Sequence, residues 1–297
     1  MKKLIVGVVI ILVGIGIYYF TKSGNEPEVN QNQAGDNALN QTATTTNEVN
    51  APESVIGKSV EARDITAYHF GTGETELLFI GGIHGGYEWN TSLVAYELVD
   101  YLKANPTIVP SNVKVTVIPV LNPDGLNKTV GKAGRFVRAD VPTSQELQVA
   151  GRFNANTVDL NRNFDCDWQT SALWQNKNVS GGASAFSEPE SKALKNYVEV
   201  NKPKAVVVWY SSAGGVYASS CHNGVSSETK TLTKTYATAS GYPAYENFDF
   251  YEITGDMVNW LAKINIPAIS VLLTNHTETE WSKNLKGIEA VLKYYAE

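Results

Sequence analysis

Continuous apolar segments alternate along this chain with segments whose apolar positions repeat every three to four residues. Four apolar runs rich in β-branched residues are typical of buried strands: residues 77–83, 113–120, 204–210 and 268–274. Helical periodicity occurs in residues 91–105, 187–200, 254–265 and 282–297, with Thr254 as a candidate N-cap. This alternation predicts an α/β fold in which helices cover a largely parallel or mixed sheet.

Polar side chains with possible functions follow the ends of these predicted strands. The turn after the first strand reads LFIGGIHGGYEWNT (residues 78–91) and contains His84 and Glu88, while Tyr210 ends a later strand. Ligands of such folds bind beyond the carboxyl ends of the strands. An imidazole and a carboxylate are both zinc ligands, and a catalytic zinc normally has three protein ligands and one open position.

The first fifty residues have a different pattern. Lys2 and Lys3 precede an uncharged apolar run, residues 4–20, whose length is at the lower limit for spanning a bilayer. No small-residue cleavage motif follows, so residues 1–21 are interpreted as an uncleaved membrane anchor, with a cleaved signal peptide as the alternative. The leading lysines predict that the rest of the chain lies outside the cytoplasmic membrane.

Composition divides the remainder into a linker and a folded domain. Residues 22–53 are rich in Asn, Gln, Thr and Ala and are interpreted as a flexible polar linker, because they cannot bury a core. Residues 54–297 are the predicted domain. The net charge of −6 and the absence of a basic run argue against a nucleic-acid partner. Cys166 and Cys221 would form a disulfide outside the cytoplasm, and two separate buried thiols are the alternative.

A series of short motifs follows in a fixed order across the domain. They are IHGGYE (83–88), NPDG (122–125), GRFVRAD (134–140), VDLNRNFD (158–165), FSEPES (186–191) and YEITGDMVNW (251–260). Together, over about residues 60–297, they resemble the zinc carboxypeptidases of the carboxypeptidase A and B type. The resemblance implies a three-layer α/β/α sandwich around a mixed sheet of about eight strands. It also implies zinc-dependent hydrolysis of the C-terminal residue of a peptide.

Four residues match positions that hold the substrate in that family. Asn161 and Arg162 match the pair that binds the terminal carboxylate, and a guanidinium can bind a planar carboxylate through two hydrogen bonds. Arg138 matches the arginine that stabilises the oxyanion, where a fixed positive charge is needed. Tyr251 matches the mobile tyrosine that closes over the bound residue.

The expected ligand is therefore the C-terminus of a peptide. A cell-wall peptide is a candidate, because the domain is expected to lie outside the membrane. Val258 matches a position in the pocket for the terminal side chain, which implies a small or apolar residue there. Asp256 nearby would instead favour a basic side chain.

The expected zinc site departs from the family pattern. His84 and Glu88 match two of its zinc ligands, but three residues separate them where the family has two. Tyr210 stands where the family has its third ligand, and Leu272 stands where it has the catalytic glutamate. A phenol is protonated at neutral pH and is a poor ligand, and leucine cannot accept a proton from water. Zinc is therefore a possible cofactor of a site that looks incomplete.

Three functions remain open from the sequence. The favoured one is a membrane-tethered domain that recognises peptide C-termini with weak or no catalysis. The first alternative is an active metallocarboxypeptidase with a rearranged zinc site, in which His222, His276 or Tyr210 is the third ligand. The second alternative is a structural or protein-interaction domain. The measured zinc content would distinguish the first alternative from the other two functions. Peptide binding that depends on Arg162 would distinguish the favoured function from the second alternative.

Overall fold

A mixed sheet runs through the middle of the protein in this computed structural model, which describes residues 52–297. The strand bounds are β1 Glu53–Lys58, β2 Asp64–Phe70, β3 Thr75–Ile80, β4 Val113–Ile118, β5 Ser171–Trp174, β6 Lys177–Ser180, β7 Ala205–Ser211, β8 Gly215–Ala218, β9 Ala244–Tyr245 and β10 Ala268–Leu273. Eight strands form the main sheet in the order β1-β2-β4-β3-β7-β10-β8-β9, and β5 pairs with β6 in a separate hairpin. Strands β3, β4, β7 and β10 are mutually parallel, and β1 and β2 run antiparallel to their neighbours. Strand β8 is antiparallel to β10 and parallel to β9.

Helices cover both faces of the sheet. One apolar layer packs α1, α5 and α7 against the sheet, and a second packs α4 and α6 against its other face. The expected three-layer sandwich around a mixed eight-stranded sheet is therefore confirmed. The α-helix bounds are α1 Trp89–Ala104, α2 Pro123–Val130, α3 Gln145–Ala150, α4 Pro189–Asn201, α5 Ser227–Ser240, α6 Met257–Lys263 and α7 Trp281–Ala296.

The central strands β3, β7 and β10 are buried on both faces, which explains their uninterrupted apolar sequences. Side chains alternate between the two faces along a strand. On β7, Trp209 faces the layer of α1, α5 and α7, whereas Tyr210 faces the layer of α4 and α6. Because these strands are parallel, their carboxyl ends meet at one edge, where the functional side chains were expected.

The α6 helix begins at a different residue from the one expected. Asp256 is its N-cap, and its carboxylate accepts a hydrogen bond from Asn259 N at 2.9 Å. Thr254, the expected cap, is too far from the helix start, and within the described residues its buried hydroxyl has no hydrogen-bond partner. Helix α6 therefore begins at the edge of the functional site with a carboxylate as its N-cap.

A disulfide joins Cys166, shortly after Arg162, to Cys221 in the loop that follows β8. The expected membrane anchor at residues 4–20, and the linker as far as residue 51, lie outside the described residues. Among residues 52–297, no helix combines the length and apolar character that crossing a membrane requires.

Candidate functional site

A cavity of about 700 Å³ opens at the carboxyl ends of β3, β7 and β10. This volume is in the range of pockets that hold small ligands. Ten of the positions singled out in the sequence line it, whereas Arg138 and His222 do not. The lining positions are His84, Glu88, Asn161, Arg162, Tyr210, Tyr251, Asp256, Val258, Leu272 and His276.

The turn after β3 brings His84 and Glu88 together despite their unusual spacing. Gly86 lets this turn lie against α2, because a Cβ there would be 1.9 Å from Thr129 Oγ1. Glu88 is the N-cap residue of α1, four residues after His84. His84 Nδ1 lies 2.9 Å from Glu88 Oε1, and both side chains are almost completely buried.

A buried charge network supports this pair from behind. His84 Nε2 lies 3.3 Å from Asp159 Oδ1, and Arg152 Nε donates to Asp159 Oδ2 at 2.9 Å. Arg152 Nη1 is also 3.7 Å from Glu88 Oε1. Burial alone would raise the pKa of Asp159, but the charges of Arg152 and His84 outweigh it and hold that pKa well below its usual range. Asp159 holds the His84 ring at Nε2, so that the other ring nitrogen, Nδ1, faces Glu88.

His84 and Glu88 fit two positions of a zinc site. Both nitrogens of His84 and Glu88 Oε2 are buried without a well-aligned hydrogen-bond partner. Two ligand atoms on a tetrahedral zinc with bonds of about 2.0–2.1 Å are roughly 3.3 Å apart. The 2.9 Å between His84 Nδ1 and Glu88 Oε1 is within hydrogen-bonding distance, and a small outward shift of either atom would let the two share an ion.

Tyr210 does not complete this site. Its hydroxyl donates to Asn161 Oδ1 at 3.2 Å. Burial, together with the carboxylates of Asp256 and Glu88, raises the pKa of Tyr210 well above its ordinary value, so the phenolate that a metal requires is disfavoured. Over residues 52–297, no third histidine, cysteine or carboxylate atom lies within 4.8 Å of both His84 and Glu88.

His222 does not line the cavity. It lies beside the disulfide, with Nε2 3.0 Å from Asp167 Oδ1 in an exposed pair. Cys166, Asp167, Cys221 and His222 do form a cluster of potential metal donors. The two sulfur atoms are bonded to each other, however, and are not available as thiolates while the disulfide is intact.

The position expected to hold the general base is apolar. Leu272 on β10 lies opposite Tyr210 on β7 and lines the cavity. Asp256 lines it as well, but its carboxylate accepts hydrogen bonds from Asn161 Nδ2 at 2.8 Å and from Asn259 N. Burial raises the pKa of Asp256 against the effect of these hydrogen bonds. The carboxylate of Asp256 is thus held in the wall of the cavity by Asn161 and by the start of α6.

Arg162 provides a buried positive charge in the cavity. Its guanidinium donates to backbone oxygens: to Leu173 O at 2.8 and 3.1 Å and to Asn161 O at 2.7 Å. Of the carboxylates in the described part of the chain, none lies within 4.0 Å of this group. A buried cation without a carboxylate partner favours an anionic ligand, because an unpaired buried charge is costly.

Asn161 is held by its neighbours in the wall of the cavity. Its Oδ1 accepts from Tyr210 and Met257 N, and Nδ2 donates one of its two N–H groups to Asp256. The other N–H of Nδ2 has no acceptor among the described residues, and the side chain lines the cavity. Asn161 therefore keeps one donor with which it can bind a carboxylate together with Arg162.

Tyr251 and Val258 lie where the sequence suggested. The Tyr251 ring packs edge-on against Phe248, with 5.1 Å between ring centroids, and lies 5.9 Å from the Arg162 guanidinium. Burial raises the pKa of Tyr251 although Arg162 opposes this, so the hydroxyl stays protonated and can donate a hydrogen bond. Val258 is buried in the cavity wall and adds an apolar surface.

Arg138 is not at the site, which corrects the role assigned to it from the sequence. Its side chain is 59% exposed and pairs with Glu278 at 3.0 Å on the surface. Besides Arg162, the cavity contains a second buried arginine, Arg152, which the sequence reasoning missed. The sequence feature that could have identified Arg152 is its position in GRFNANTVDLNRNF (residues 151–164), the segment that also contains Asp159 and Arg162.

The sequence is similar to known zinc carboxypeptidases. Residues 37–282 match the sequence model of the zinc carboxypeptidase family. The chain is 29% identical over 182 residues to the Homo sapiens carboxypeptidase N catalytic chain, and the match covers 57% of this chain and 37% of the relative. It is 30% identical over 182 residues to Gallus gallus carboxypeptidase Z, with 57% and 26% covered. The chain thus matches well under half the length of these relatives.

Solved structures share the fold at lower sequence identity. Bovine thrombin-activatable fibrinolysis inhibitor, solved in complex with tick carboxypeptidase inhibitor, has a TM-score of 0.65 and 16% identity, covering 82% of this chain and 89% of that chain. Murein-tripeptide amidase MpaA from Escherichia coli O157 has a TM-score of 0.58 and 20% identity, covering 82% and 92%. With the family match over most of its length and the same fold, this chain belongs to the zinc carboxypeptidase family.

Proposed function

We propose that this protein binds the C-terminal end of a peptide outside the cytoplasmic membrane and hydrolyses it weakly or not at all. The observation that carries the proposal is the contrast between Arg162 and Leu272 in one cavity. Arg162 is a buried cation with no carboxylate in contact among the described residues. Leu272 is an apolar group at the position where the sequence resemblance leads us to expect the general base.

The geometry around Arg162 supports recognition of a carboxylate. Hydrogen bonds to Leu173 O and Asn161 O hold the guanidinium plane in place before a ligand arrives. Preorganisation of this kind reduces the entropy lost on binding. The hydroxyl of Tyr251, which stays protonated, is a second donor at the same end of the cavity.

The chemistry of the remaining lining supports weak catalysis. A general base typically contributes roughly 10²–10⁴-fold to a rate, and Leu272 provides none. A bound zinc would polarise the scissile carbonyl and lower the pKa of a bound water. His84 and Glu88 would hold such an ion, while Tyr210 is bonded to Asn161 instead.

The location and the ligand class follow from the segments that flank the domain and from one structural relative. The apolar run at residues 4–20 and the polar residues 22–53 support a membrane tether. The name of the murein-tripeptide amidase indicates that this fold can act on cell-wall peptides. A cell-wall stem peptide with a free C-terminal carboxylate is therefore the ligand class that we propose.

A peptide-binding experiment tests this function. Titration of the full chain with a peptide that ends in a free carboxylate, and with the same peptide amidated, should give binding only to the first. Arg162→Ala should weaken binding by about 10- to 100-fold, the usual range for a lost hydrogen bond to a charged group. Arg138→Ala is the matched control, because Arg138 is exposed and outside the cavity. Equal binding of the two peptides, or unchanged binding by Arg162→Ala, would contradict the proposal.

A further inference from the structure

His276 lines the same cavity as His84 and Glu88, and all three have buried atoms without a well-aligned hydrogen-bond partner among the described residues. These atoms are both ring nitrogens of His84, Oε2 of Glu88 and Nδ1 of His276. Most buried polar groups in folded proteins are hydrogen-bonded, and a metal ligand is one kind of exception.

We infer that His276 is the third protein ligand of a zinc ion held by His84 and Glu88, in place of Tyr210. Two histidines and one glutamate form a donor set that catalytic zinc sites use, with a fourth position left open. The three residues would supply this set from two different strand ends, because His84 follows β3 and His276 follows β10.

Hydrogen bonds fix the loop of His276 to the helix end that carries Glu88. Asn90, in the first turn of α1, donates from Nδ2 to Asn275 O at 2.8 Å and to Glu278 O at 3.0 Å. The Asn90 Oδ1 atom accepts from Ser211 Oγ at 2.9 Å, at the end of β7. One fully buried amide therefore ties together the loop of His276, the start of α1 and the strand end next to Tyr210.

The imidazole of His276 packs on the residue next to Glu88. Its ring lies against Tyr87, with 4.7 Å between ring centroids. This contact places the imidazole close to the helix start that carries Glu88.

Metal binding requires a rotation of this side chain. In the present conformation His276 Nε2 is 3.4 Å from Ser212 Oγ, and His276 is outside the 4.8 Å range of the pair. The contact with Ser212 is long for a hydrogen bond and is at the exposed side of the loop. Rotation about the side-chain bonds exchanges this weak contact for coordination, while Asn90 keeps the backbone in place.

Metal binding to the full chain, prepared without a histidine tag and stripped with a chelator, tests this inference. Elemental analysis and calorimetric titration with Zn²⁺ should give one zinc per chain. His276→Ala should weaken zinc binding by at least about 100-fold, because loss of a ligand costs more than loss of an outer partner. The matched control is His222→Ala, which removes an exposed histidine outside the cavity lining and should retain zinc. Tyr210→Phe should also retain it.

A spectroscopic variant identifies the ligand directly. His276→Cys, loaded with Co²⁺, should show a thiolate-to-cobalt charge-transfer band that the original protein lacks, since a thiolate is a ligand of the same class of site. Absence of zinc from the original protein after reconstitution, equal affinity in His276→Ala, or no such band in a cobalt-loaded His276→Cys would overturn the inference. Binding of the free-carboxylate peptide by chelator-treated protein is measured in parallel. Peptide binding in the proposed function depends on Arg162 and not on the metal. A negative result for zinc therefore does not decide whether the proposed function is right.

Discussion

Tyr210 and Leu272 lie directly opposite each other on the parallel strands β7 and β10, and both side chains face the same cavity. By the sequence resemblance, the position of Tyr210 corresponds to the third zinc ligand of the zinc carboxypeptidases. The position of Leu272 corresponds to their general base. Because neighbouring strands hold both residues, the two positions form one patch of the cavity wall. The backbone that would present the family's side chains is still present.

Restoring both side chains should therefore produce carboxypeptidase activity. We expect Tyr210→His with Leu272→Glu to release the C-terminal residue of a peptide faster than the original protein, measured as free amino acid over time. A gain on the order of 10²–10⁴-fold would match the usual contribution of a general base. Tyr210→His with Leu272→Gln is the matched control, because glutamine has the shape of glutamate but cannot act as a base. Equal rates for the two double variants would show that position 272 does not present a base to the substrate.

Arg152 and Arg138 should differ sharply in their effect on stability. Arg152 is buried between Glu88 and Asp159, so Arg152→Ala leaves two buried carboxylates without their cation. Such a loss typically costs about 3–5 kcal/mol of unfolding free energy. Arg138→Ala should change it by less than about 0.5 kcal/mol, because the residue is exposed. Urea denaturation of the two variants checks this, and similar losses in both would contradict the buried network.

The layers of the fold could be predicted from the sequence because the central strands are apolar along their whole length. The runs at residues 204–210 and 268–274 correspond closely to β7 Ala205–Ser211 and β10 Ala268–Leu273. A helix start is set by finer geometry: Asp256 caps α6 where Thr254 was expected. Periodicity does not distinguish two polar residues that are so close in the chain.

The site was harder to predict, because burial decides which arginine acts in it. Arg138 and Arg152 are both plausible by residue type, and only the fold shows that the first is on the surface. The commitments of Asn161 to Asp256 and Tyr210 also depend on contacts between distant parts of the chain. Sequence motifs identified the side chains of the cavity but not the hydrogen bonds that they make.

The stability of the protein should fall in mild acid partly because of His69. Its Nε2 is 2.8 Å from Ser54 Oγ and its Nδ1 is 3.1 Å from Thr116 Oγ1. Burial, with a smaller effect of Lys114, lowers the pKa of His69 in the folded protein. The unfolded chain then takes up the proton first, so this contribution is complete above the ordinary histidine pKa of about 6.5 and is lost as the pH falls from there through the folded-state pKa.

Unfolding free energies measured from pH 8 to pH 5 test this sign. The original protein should lose more stability over this range than His69→Gln, which has no group that titrates at that position. His222→Gln is the control for loss of an imidazole at an exposed position. A pH profile of His69→Gln that is parallel to that of the original protein would show that His69 does not contribute.

The disulfide should stabilise both the domain and its ligand-binding loop. It closes a loop with a sequence separation of 55 residues, and removal of such a bond typically costs roughly 2–5 kcal/mol. The Cys166 oxygen accepts a hydrogen bond from Gly255 N at 2.7 Å, in the segment between Tyr251 and Val258. We therefore expect a double variant, Cys166→Ser with Cys221→Ser, to unfold at a lower urea concentration and to bind the free-carboxylate peptide more weakly. Reduced original protein is the matched control and should behave like the variant. Unchanged peptide affinity in a destabilised but folded variant would show that Arg162 and Tyr251 are positioned independently of this bond.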